Sequence, residues 1–120
     1  MPLLATILIA LIALFHLYIA WFEMFAWETR GPRVFSSFPK DLFTPTKTLA
    51  ANQGLYNAFL AAGLIWSLLI QDSAWASNVA TCFLIFVAVA GIYGAATASK
   101  KIFYVQGLPA ILGLAALHLL

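Results

Sequence analysis

Glu23 and His16 are the two side chains of this sequence able to do chemistry inside an apolar segment. They are the strongly polar residues of the run from Leu3 to Trp27, and they stand seven positions apart. Seven residues is close to two helical turns, so Ile12, His16, Ala20, Glu23 and Trp27 form one stripe of a helix. Ionisable groups facing one way in a membrane segment are costly, and they mark sites of binding, proton exchange or acid–base work. The two groups are separated by a rise of roughly 10 Å. That distance excludes direct proton exchange and joint ligation of one ion, although a water or a bound ligand could bridge them.

The elements that must position these groups follow from composition. Of 120 residues 64 % are hydrophobic and 8 % charged, whereas soluble domains average roughly 45–50 % apolar residues. Apolar residues fall into four blocks, about 3–27, 48–70, 74–98 and 102–120. Each approaches the ~20 residues a helix needs to cross a bilayer core of ~30 Å. Strands are rarely so long, and the alternation of a membrane barrel is absent. The expected fold is all-α: a multi-pass membrane protein with four transmembrane helices in an antiparallel bundle, forming one domain over 1–120. The N-terminal run has no basic residue before it and no small-residue cleavage site after it, so it is read as a retained span and not as a signal peptide.

Arg30, Arg33, Lys40, Lys47, Lys100 and Lys101 all fall in the connections between the first and second and the third and fourth blocks. The positive-inside rule therefore puts both termini on the non-cytoplasmic side of a cytoplasmic (inner) membrane. Such flanking charge fits attraction to anionic membrane lipid and not nucleic-acid binding. Gln71-Asp72-Ser73 and Ser99-Lys100-Lys101 are tight turns, with Asp72 or Ser73 suited to cap the third helix. The segment 28–47, with Pro32, Pro39 and Pro45, reads as a cytoplasmic interfacial loop in which Val34, Phe35, Phe38, Leu42 and Phe43 face lipid. A lid over the inner mouth of the bundle is the alternative. Ala90, Gly91, Gly94, Ala95 and Ala98 repeat at three and four, which lets another helix approach closely; Gly107 and Gly113 do the same more weakly. Close packing within one subunit and a subunit interface both fit that pattern.

Further polar residues gather at the span ends on the basic side: Asn52, Gln53, Tyr56 and Asn57 in the second block, Tyr93 and Thr97 in the third, Gln106 in the fourth. With Glu23 they outline either an inward-facing pocket or a hydrogen-bond network. Amides and phenols alone suit a network, at ~0.6 kcal/mol each. A network does not require a carboxylate, whose burial costs several kcal/mol unless it is protonated or paired. The residues proposed to bind a ligand or exchange a proton are thus Glu23, His16, Trp27, Asn52, Tyr56, Asn57 and Gln106, with Gln53, Tyr93 and Thr97 in support. A lone Cys82, no His-x-x-x-His pair and distant His118 leave no metal site, and no cofactor fingerprint occurs.

The run of His16 with Glu23 and Trp27, then Asn52-Gln53-Gly54-Leu55-Tyr56-Asn57, Ala90-Gly91-Ile92-Tyr93-Gly94 and Gln106-Gly107-Leu108-Pro109-Ala110 resembles the bacterial domain-of-unknown-function 1304 family. The resemblance covers essentially the whole chain and implies a small integral membrane protein with four helices, without naming a reaction. A looser likeness, of architecture only, is to four-helix membrane enzymes of eicosanoid and glutathione metabolism; their Arg-rich second helix has no counterpart here. Three functions stay open. The favoured one is binding or transport of a small cationic or hydrogen-bonding molecule, which for so small a subunit implies a homo-oligomer. The others are a membrane enzyme on a lipophilic substrate with Glu23 or His16 as acid or base, and an assembly subunit whose polar cluster only fixes helix packing.

Overall fold

Long apolar runs offer the backbone no side-chain partners, so the backbone must bond to itself. The computed structural model describes all 120 residues and consists of helices and turns, without strands. In chain order these are α1 (Leu3–Phe25), α2 (Trp27–Val34), a 3₁₀ turn (Lys40–Leu42), α3 (Lys47–Leu69), α4 (Ser73–Thr97), a π turn (Phe103–Gly107) and α5 (Leu108–Leu119). Two helices, α1 and α4, are long and apolar enough to cross a membrane; the helical stretch Phe103–Leu119 is apolar but shorter. At 23 residues α3 equals α1 in length, but Lys47, Asn52, Gln53 and Asn57 make its first three turns polar. The residues group into two compact units, Met1–Leu14 with Leu60–Leu120, and Phe15–Phe59.

The first unit has an aliphatic core built from Ala5, Ile9, Ile12, Leu64, Leu84, Val87 and Ala110, all buried. Asp72 starts α4 as expected, its carboxylate accepting the Trp75 backbone N–H at 3.0 Å and satisfying one of the orphan donors of the first turn. Small residues set the packing further on. A β-carbon on Gly91 would fall onto the backbone of Gly107, and one on Gly113 would stand 3.2 Å from Leu84 Cδ2. The π turn has a local cause. Pro109 lacks an N–H, and in a regular helix its ring would collide with the carbonyl four residues back. Widening the coil just before it relieves that clash, and the Leu108 N–H bonds to the Phe103 carbonyl. Much of this unit's apolar surface is outward. Leu3, Leu4, Ile7 and Leu11 of α1 and Ile85, Phe86, Val89 and Ile92 of α4 are exposed. Only 28 % of the most apolar window of α4 is buried, whereas the central helix of a water-soluble core would be mostly covered.

The second unit holds the end of α1, the whole of α2, the turns and the start of α3. At Ala26 the backbone leaves the helical region (φ −127°, ψ 15°), yet Ala26 N–H still reaches Phe22 O and Arg30 N–H reaches Ala26 O, each at 2.9 Å. These two bonds flank the bend, and Ala26 is the cap from which a new helix starts. The first part of 28–47, expected as loop, is instead part of a short separate helix, α2, which stops two residues past Pro32. Beyond Val34 the chain turns back through the 3₁₀ turn. The aromatics of this segment do not all face outward: Phe43 is 2 % exposed and lies 5.1 Å from Trp27 and 5.0 Å from Phe38, centroid to centroid. Phe22 and Phe35 complete the cluster around Trp27. Gly31 admits the Phe43 ring, since a β-carbon there would meet its edge. Val34, Phe35 and Leu42 remain exposed.

Replacing Gly91 with valine should push α4 off the π turn and destabilise the protein by about 1–3 kcal/mol, read as a lower thermal midpoint in detergent. Ala90→Val, at an exposed neighbour, is the control. Equal midpoints for the two variants would rule out the backbone contact.

Candidate functional site

A carboxylate in an apolar helix needs a donor, and Glu23 has one. Asn57 Nδ2 donates to Glu23 Oε1 at 2.6 Å. Asn57 is buried and Glu23 half-buried. The distance is set one turn earlier on α3. A β-carbon on Gly54 would stand 2.9 Å from the Ala20 carbonyl and 3.1 Å from Glu23 Cβ, so only glycine lets α3 come this close to α1. Asn57 lies three residues further along the same face. An ionised carboxylate has about four lone-pair positions, and the single amide bond fills one.

The other expected members take different places. Asn52 turns its amide back to the Thr48 carbonyl of its own helix at 2.9 Å. Gln53 and Tyr56 are exposed, and Tyr56 meets Phe59 edge to face. Trp27 directs its indole N–H to Thr46 Oγ1 at 2.9 Å and its ring into the aromatic cluster. His16 is buried, 1 % exposed, with the Phe15 ring edge-on at 6.1 Å. Tyr93, Thr97 and Gln106 belong to the other unit; Tyr93 is exposed and its carbonyl receives the Thr97 hydroxyl at 2.8 Å. Within this unit Glu23 and Asn57 are joined by a direct hydrogen bond.

Several residues with clear roles escape a reading by residue type. Glu28 accepts the Thr44 hydroxyl at 2.8 Å on Oε2 and meets Lys47 Nζ at 3.4 Å on Oε1. With the Trp27–Thr46 bond this fastens the turns to α2. The Thr44 bond first, and Lys47 second, hold the Glu28 carboxyl below its ordinary value of 4.5. In the other unit, Thr81 Oγ1 lies 2.8 Å from His118 Nε2. Threonines gave no warning of these bonds, because each depends on how the chain returns. Gly54 did carry a signal: a glycine inside a helix, one turn from an amide, marks a close approach. No group of histidine, cysteine and acidic residues could hold a metal ion.

The family model described as Protein of unknown function (DUF1304) matches residues 10–118. The chain is also 35 % identical to Uncharacterized protein YpaA of Lactococcus lactis subsp. lactis (strain IL1403) over 116 residues, which is 95 % of this chain and 96 % of that one. No solved structure matches.

Gly54→Val should cost about 1–3 kcal/mol and erase the coupling between Glu23→Gln and Asn57→Leu in a double-mutant cycle; coupling that survives would mean Gly54 does not set their distance. Glu28 gives a pH signature. Its folded value lies below its unfolded one, so its contribution is complete above about 4.5 and is lost as pH falls through the lower, folded value. The thermal midpoint of wild type should therefore exceed that of Glu28→Gln at neutral pH, with the gap closing in acid. A gap that stays constant would contradict the assignment.

Proposed function

We propose that this chain, which belongs to the DUF1304 family, is a multi-pass protein of the cytoplasmic membrane whose Glu23–Asn57 pair binds a small cationic or hydrogen-bonding molecule. The membrane reading is supported by the length of α1 and α4 and by the leucine, isoleucine and phenylalanine they turn outward, a surface too large to leave in water. In this reading α3 and the stretch Phe103–Leu119 are the other two spans. The six basic residues then lie on the cytoplasmic side and both termini on the opposite one.

One observation carries the binding reading: a half-buried carboxylate in an apolar helix is met by a carboxamide and not by a cation. The amide orients the acid without neutralising it, and a positively charged or strongly donating molecule completes the set. Trp27 is occupied by Thr46 and its ring neighbours, so it serves the shape of the unit and not the ligand. A subunit of four spans is small for a transport path, and transport would require assembly into a homo-oligomer.

A second reading has its own support. The close approach at Gly54 fits a pair that only fastens α1 to α3. Thermal unfolding of detergent-purified protein with methylammonium, tetramethylammonium or choline chloride, against sodium chloride at equal ionic strength, separates the two. Under the binding reading an organic cation raises the wild-type midpoint and Glu23→Gln abolishes the rise, a loss of about 2–5 kcal/mol of binding for a desolvated charge pair. Under the fastening reading Glu23→Gln lowers the midpoint by the same amount with every salt.

A further inference from the structure

The bend at Ala26 also shapes the outer face of the second unit. Tyr18, Trp21 and Phe25 succeed one another at three and four residues along α1 and are all exposed, with the Tyr18 and Trp21 rings 6.0 Å apart. Because α2 sets off in a new direction at Ala26, Arg30 returns over this stripe: its guanidinium carbon lies 5.7 Å from the centre of the Trp21 ring. A cation over the face of tryptophan is held by the ring quadrupole while its N–H groups stay open. Neither Arg30 nor Arg33 has a carboxylate partner, because the acid nearest in sequence, Glu28, is taken by Thr44 and Lys47. Arg33 stands one turn beyond Arg30 on α2, on the same side of that helix.

From this arrangement we propose that Arg30, Arg33 and the Tyr18–Trp21–Phe25 stripe form a binding site for an anionic phospholipid. Each part of the site answers a part of the lipid. The phosphodiester accepts the planar fork of Arg30 in two parallel bonds, a geometry that arginine matches and lysine does not. The net negative headgroup draws the second charge, Arg33; a zwitterionic headgroup brings its own ammonium and gains less. Exposed Phe25, Trp21 and Tyr18 offer the acyl chains an apolar face, and tryptophan and tyrosine are the residues that settle at headgroup depth. This site rests on the membrane reading above and is independent of the ligand at Glu23.

The test adds dioleoylphosphatidylglycerol, dioleoylphosphatidylcholine or inorganic phosphate to the full-length protein in a neutral detergent and monitors thermal unfolding. Phosphatidylglycerol should raise the wild-type midpoint, with phosphatidylcholine and inorganic phosphate giving little. The apparent affinity for phosphatidylglycerol should fall about fivefold for each charge removed in Arg30→Gln and Arg33→Gln. Arg30→Lys should recover only part, and Trp21→Leu should weaken binding with both arginines present. Lys100→Gln with Lys101→Gln should leave the effect intact. Equal stabilisation by the two lipids, or an Arg30→Gln, Arg33→Gln protein that keeps the full effect, overturns the site. Stabilisation by inorganic phosphate to the same extent overturns the lipid as its occupant. Alkaline carbonate extraction of membranes from cells making the wild-type protein separates the two levels. Release into the supernatant overturns the membrane reading and the site with it, whereas retention without a preference for phosphatidylglycerol overturns the site alone.

Discussion

A chain that turns this much apolar surface outward must satisfy its backbone largely from within, and hydrogen bonds flank or bridge its departures from regular helix. At Ala26 the dihedral angles leave the helical region, but N–H groups on both sides of the bend keep their carbonyls. At Phe103–Gly107 the ladder shifts by one residue ahead of Pro109 instead of opening. At Asp72 a side chain replaces the missing turn. Between α2 and α3, bonds such as Phe38 N–H to Phe35 O and Thr46 N–H to Leu42 O close the turns, and hydroxyls of Thr44 and Thr46 tie them down. No buried side-chain nitrogen or oxygen is left without a partner. The irregular points are thus where the chain changes direction, and the proposed anionic-lipid site lies beside one of them.

The same constraint separates what was legible in the sequence from what was not. Helix positions were readable from the length of the apolar runs, and α3 and α4 begin and end within a residue or two of the blocks that predict them. The Asp72 cap and the close approach at Gly91 and Gly107 were readable too, since each needs a particular residue type. The bends were not. Ala26 is an ordinary helix former, and the neighbouring Trp27 packs against Phe43, sixteen positions away, a contact that residue type does not announce. Pro32 argued for loop across 28–47. A proline removes one bond and not a whole helix, and α2 forms around it from the Ala26 cap, whose carbonyl accepts the Arg30 N–H.

The sequence makes Glu23 a candidate by its charge, its place in an apolar run and the helical face it shares with His16, and all three are read from residue type and spacing. The partner of Glu23 is a property of helix rotation. Asn52, Gln53, Tyr56 and Asn57 lie within an arc of about 140° around the helix, so their spacing does not say which of them meets α1. Gly54 breaks the tie: its missing side chain fixes which face of α3 meets α1, and Asn57 lies on that face while Asn52 bonds within its own helix.

The two glutamates of the second unit then show why Glu23 is the group to pursue. Glu28 stands in water and has a hydroxyl and an ammonium, although there it needs neither. Glu23 stands in the apolar helix, where an unneutralised charge is far more costly, and has only a neutral amide. Among the cations of this unit, Lys47 is engaged with Glu28 and Arg30 lies over Trp21. Within the unit, hydrogen bonding to Glu23 has been supplied and charge has not. Under the proposed binding reading, the ligand brings the charge that balances it.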